Sequence, residues 1–112
     1  MEEKRNEERS LCADLLKVRW RNNAGTIRDE YCTLEDISSS GACIQLEEAV
    51  APGTVMTLSY PSGKFRARVA YCSEQGGVYL IGLAFEPGYC WSRSRYKPTH
   101  LLQFQLRAVR KQ

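Results

Sequence analysis

Tyr60-Pro61-Ser62-Gly63-Lys64-Phe65-Arg66-Ala67-Arg68-Val69-Ala70-Tyr71 reads as a turn running into a strand. Proline presets the backbone for the first corner of a type I turn, and the glycine two places on suits a bulge after it. Phe65, Ala67, Val69 and Tyr71 then alternate with Lys64, Arg66 and Arg68. A period of two with one apolar face marks a half-buried strand. Val55 to Tyr60, introduced by the turn signal Pro52-Gly53, supplies the other arm of the hairpin. Downstream, Gln75-Gly76-Gly77 makes a further hairpin turn into Val78 to Phe85.

The same grammar extends upstream. Leu16, Val18 and Trp20 alternate with Lys17, Arg19 and Arg21, and Asn22-Asn23-Ala24-Gly25 turns the chain into a second strand over about residues 26–37. Gly41 opens a third strand through Leu46. Six short antiparallel strands with one apolar face each close most economically into a barrel, which leaves no exposed edge. After Gly88 the period changes. Pro98 suits a first helical turn, and Leu102, Leu106 and Val109 recur at helical spacing with Leu101 widening the stripe. The expected fold is therefore mainly β, a six-stranded antiparallel β-barrel with a C-terminal α-helix packed over it.

At 112 residues, 43% hydrophobic and 26% charged, the chain suits one globular domain with a modest core. No stretch has the apolar length of a membrane span, and the start is charged rather than signal-like, so a cytoplasmic location is expected. Cys12, Cys32, Cys43, Cys72 and Cys90 are odd in number and widely spaced, with one histidine in the chain. That spacing does not suit zinc. Cys32, Cys43 and Cys72 fall in apolar strand patterns as small hydrophobes, which fits a reducing compartment.

Charge is unevenly spread. Residues 1–62 hold seven basic and eleven acidic side chains, whereas residues 63–112 hold nine basic and two acidic. A basic C-terminal third suits nucleic acid, an anionic surface or an acidic partner, and equally a solvated helix face. Trp91-Ser92-Arg93-Ser94-Arg95-Tyr96-Lys97 interleaves aromatics with bases as single-strand nucleic-acid surfaces do, but a basic linker looks the same and is the preferred reading. His100 has no nucleophile placed beside it by any motif. With no nucleophile elbow, phosphate-binding glycine loop, metal-spaced cluster or paired carboxylates, no enzyme activity, metal or cofactor is expected.

Between strands two and three stands Asp36-Ile37-Ser38-Ser39-Ser40-Gly41, an Asp-x-Ser-x-x-Gly stretch, and ahead of the first strand stands Arg5-x-x-x-Arg9. Guanine offers two acceptors on its Hoogsteen edge, which an arginine fork matches, and two donors on its Watson–Crick edge, which an ionised aspartate can accept. A serine hydroxyl and backbone amides can hold phosphate oxygen, and Gly41 lets the backbone turn tightly beside a ligand. Each half alone also has a plain use: mixed charge in a solvated tail, and an Asx or Ser turn.

Together and in this order, the two motifs resemble the PilZ domain family, whose members bind the bacterial second messenger cyclic di-GMP. Ile81-Gly82-Leu83-Ala84-Phe85 is similar to the strand that closes many such barrels. The resemblance covers about residues 4–87. It implies a cyclic di-GMP receptor domain in which Arg5 and Arg9 contact guanine and phosphate, Asp36 takes a Watson–Crick edge, and Ser38 and the backbone near Gly41 hold phosphate. Lys4, just before the first motif arginine, is a further candidate where ligand stoichiometry is tuned. Tyr79 could stack at the rim, though a core or surface tyrosine is its plainer fate.

The chain then divides into a ligand-clamping segment at 1–10, the barrel at 11–88, and a basic linker with helix at 89–112. With no apolar residue from Glu2 to Ser10, the first segment should order only when an anionic ligand gathers its arginines, which would change the surface shown to an unidentified downstream protein partner. Two alternatives stay open: a PilZ-like adaptor without nucleotide, and a small basic barrel that binds nucleic acid.

Overall fold

The protein is described by a computed structural model over residues 10–61 and 63–88. The expected C-terminal helix, with His100 and the basic stretch before it, lies outside those residues, as do Lys4, Arg5 and Arg9. Six antiparallel strands form where alternation and turn residues place them: β1 (Ser10–Arg21), β2 (Ile27–Ile37), β3 (Gly41–Leu46), β4 (Val55–Tyr60), β5 (Gly63–Gln75) and β6 (Val78–Phe85). They close into a barrel in the order β1-β2-β3-β6-β5-β4. Two three-stranded meanders are thus joined twice, by β3 against β6 and by Lys17–Trp20 of β1 against Met56–Ser59 of β4.

Inward positions fill the interior. Val18, Leu34, Ile44, Met56, Leu58 and Ile81 are wholly buried, and the Phe65 and Phe85 rings meet in a T-shaped pair with centroids 5.1 Å apart. Each such aliphatic side chain stabilises the fold by about 1.5–3 kcal/mol. Cys32 and Cys43 are buried and Cys72 half-buried, none in a disulfide, as small hydrophobes in a sheet would be. At Cys32 burial pushes the thiol up to about 12.

The turns explain most of the glycines' work. Gly76 and Gly77, at φ +61° and +93°, form the two-residue loop between Gln75 and Val78, a geometry that needs left-handed backbone at both positions. The hairpin at Pro61 departs from expectation. Tyr60 pairs directly with Gly63, and Gly63 is not left-handed, so the expected bulge is absent. A Cβ there would stand 2.8 Å from the Tyr60 hydroxyl oxygen and 3.1 Å from the ring, so the tyrosine would have to shift to admit a side chain.

Three bulges interrupt the ladders. Cys12 and Ala13 of β1 face Glu35 alone on β2, Glu35 in turn has no partner on β3, and Ala70 of β5 has none on β6. Each extra residue reverses which way the following side chains point. Tyr71 is the correction this forces. Simple alternation puts it inside with Phe65, Ala67 and Val69, but beyond the Ala70 bulge it stands outside, 53% exposed.

Candidate functional site

The β2–β3 connection is built by Ser38. Its amide donates to the Gly41 carbonyl at 2.8 Å and its hydroxyl to the same oxygen at 3.2 Å, with Ile37 and Ala42 paired just inside. Ser38 is 1% exposed. The Phe85 amide donates to the Ser40 carbonyl at 2.9 Å, which ties the turn to the end of β6. Gly41 is needed where β3 meets β6. It does not adopt a left-handed conformation; a Cβ there would strike the backbone carbonyl of Leu83, where β3 and β6 press together.

Asp36 owes its direction to the Glu35 bulge. Cys32 and Leu34 point inward at a spacing of two, so an unbroken strand would turn Asp36 into the core. The extra residue instead sends Ile37 inside and Asp36 to the outer surface, half-buried. Asp36 then pairs across the sheet with Cys43, Cys43 with Gly82, and Gly82 with Tyr71. A second outer row runs beside it from Gly41 to Ala84 to Arg68. Small residues stand between Asp36 and Tyr71 in the first row, Cys43 and Gly82, and the Tyr71 ring lies over Gly82.

Asp36, Ser38 and Gly41 are thus brought to one rim. Lys4, Arg5 and Arg9 lie outside the described residues, but Ser10 pairs with Ile37 and Leu11 with Asp36. The stretch that bears the arginines joins the barrel at that same rim. Tyr79 faces inward, opposite Leu46, and packs against the core. Tyr71 is the residue the alternation hid. The one local sign of it is Gly82, a glycine inside a strand, where a bulge or close approach is to be expected.

Several of the charges elsewhere among the described residues are engaged. Arg28 donates to Glu48 at 2.9 Å, a hydrogen bond that raises its pKa, and the bond from Arg19 to Asp29, also 2.9 Å, holds that carboxyl below its usual range. Arg68 donates to the Gly53 carbonyl at 2.8 Å. A cavity of about 420 Å³ opens between β2 and β3, but Glu30, Glu47 and Glu48 line it. Carboxylates repel an anion, so that cavity is a poor seat for a phosphate ligand. Among the described residues, no three His, Cys, Asp or Glu side chains group to hold a metal ion, and no helix is long and apolar enough to cross a membrane.

A family model described as PilZ domain matches residues 3–88. The matched span includes both motifs and ends three residues past β6. No curated protein matches the chain significantly.

Proposed function

The chain belongs to the PilZ domain family, a family of binding domains that generally take cyclic di-GMP, and we propose that this member is a cyclic di-GMP receptor acting by binding alone. The observation that carries the proposal is the Glu35 bulge, which turns Asp36 outward beside the Ser38–Gly41 turn, at the rim where the chain leading from Arg5 and Arg9 enters. In this reading Arg5 and Arg9 address the guanine Hoogsteen edge and the phosphates, and Asp36 accepts from the Watson–Crick edge. Ser38 has a single hydroxyl hydrogen, and it is given to the Gly41 carbonyl. To hold phosphate it would swing outward while its amide keeps the turn closed.

Binding would draw residues 1–10 over the rim and so alter the surface offered to a protein partner. Lys4, just before the first motif arginine in the sequence, would set whether one nucleotide or a stacked pair is held. The reduced thiols of Cys32, Cys43 and Cys72 support a cytosolic setting.

Calorimetric titration at low salt tests the proposal. Micromolar affinity or better is expected, about 8 kcal/mol at the 1 M standard state. No heat and no competition at about a hundred micromolar ligand, a hundredfold above that dissociation constant, would overturn it.

A further inference from the structure

β2 runs on past its partner. It pairs with β1 back to Ile27 but with β3 only from Thr33 onward, and β3 ends at Leu46. Among the described residues, no strand pairs with residues 27–32 on that side. An unpaired edge is a template for a further strand. Beside this edge opens the cavity of about 420 Å³, lined by Glu30, Glu47 and Glu48 against the single guanidinium of Arg28. Arg28 is held by Glu30 and Glu48, each at 2.9 Å, so the groove keeps an excess of negative charge. Leu15 and Tyr31, 66% and 64% exposed, bring apolar surface to the same cavity. The edge therefore suits an extended segment that is basic on one face.

The chain carries such a segment. In Trp91-Ser92-Arg93-Ser94-Arg95-Tyr96-Lys97 the three cations recur at a spacing of two and would share one face of a strand, with Ser92, Ser94 and Tyr96 on the other. No acid interrupts it. Gly88 lines a second cavity with Thr57 and Arg66, and the row from Arg66 through Thr57 and Arg19 to Asp29 of β2 crosses three strand spacings, about 14 Å. Tyr89 and Cys90 alone join Gly88 to Trp91, a reach of about 11 Å, too short for the whole segment to align along its own β2. We propose that residues 91–97 of one copy add as a strand to the open edge of β2 in a second copy, with Arg93, Arg95 and Lys97 against Glu30, Glu47 and Glu48. One added strand buries less than the roughly 800 Å² per partner of a standard interface, so the association is weak, and its charges make it sensitive to salt. A purely protective reading of the edge gives Arg28 and Glu30, on the inward side of the strand, the task of deterring any partner.

The experiment is sedimentation velocity of the full chain from micromolar to millimolar concentration at low salt, with backbone amide exchange of residues 27–32 alongside. The wild-type sedimentation coefficient should rise with concentration and fall back when salt is added. The same amides should become slower to exchange as concentration rises. A chain carrying Arg93→Glu, Arg95→Glu and Lys97→Glu together should stay monomeric with those amides fast. The three substitutions lie beyond every described strand, so its melting temperature should match that of the wild type. A wild type that stays monomeric at millimolar concentration, or one whose association survives the triple substitution, would overturn the proposal. Protection of residues 27–32 that the triple substitution removes but dilution does not would seat the segment on its own barrel, and the second copy would be wrong.

Discussion

Ser38 donates to Gly41 twice, from its amide at 2.8 Å and from its hydroxyl at 3.2 Å, so the motif serine closes its own turn. Asp36-x-Ser38-x-x-Gly41 is therefore a piece of barrel as well as a candidate site. Substitutions in it need a stability measurement beside every binding measurement. Ser38→Ala keeps the amide bond and should lose about 0.5–1.5 kcal/mol of unfolding free energy. Gly41→Ala should lose more, about 1–3 kcal/mol, because a methyl group would press on the Leu83 backbone rather than on a side chain that can move. Urea unfolding of both variants checks the order. A Gly41→Ala protein as stable as wild type would contradict the close approach of β3 and β6.

Arg5→Ala, Arg9→Ala and Asp36→Ala should each weaken cyclic di-GMP binding about tenfold to a hundredfold, since a hydrogen bond to a charged partner is worth about 1.5–3 kcal/mol. Their melting temperatures should stay close to that of the wild type. If affinity fell only together with the melting temperature, the residue's part would be structural.

Deleting residues 1–9 should abolish binding and leave a folded barrel, because every described strand begins at Ser10 or later. In the full chain, backbone amide exchange over residues 1–10 should slow on ligand binding while β1–β6 change little. Equal protection with and without ligand would mean a preformed site and would rule out closure of that segment.

Cys32 makes stability fall at alkaline pH. Its thiol, 2% exposed, is pushed up to about 12 by loss of hydration, from 9.0 in the unfolded chain. Between those values the folded state holds a proton that the unfolded state releases, so the stabilisation is complete below about pH 9 and is lost as pH rises through about 12. The slope should approach 1.4 kcal/mol per pH unit, to order of magnitude. Cys32→Ala should flatten it in urea titrations from pH 8 to 11, and an unchanged slope would place its cause elsewhere.

The sequence by itself determined the number of strands and the bounds of β3, β4 and β6, but not the start of β1 at Ser10 or the end of β5 at Gln75. Pro52-Gly53, Pro61 and Gly76-Gly77 are local stops, and alternation such as Leu16, Val18, Trp20 needs no partner to be read. It also located the candidate ligand rim, because Asp36, Ser38 and Gly41 fall within six residues. The closure of β4 on β1 and of β3 on β6 joins segments far apart in the chain, so only the tertiary structure decided it. The same holds for the direction of Asp36 and Tyr71. Each follows a bulge, and a bulge is a mismatch between two strands that neither strand's own pattern contains. Glu35 and Ala70 look like ordinary strand residues until their neighbours pair, and that pairing turns an aspartate and a tyrosine to the same outer row.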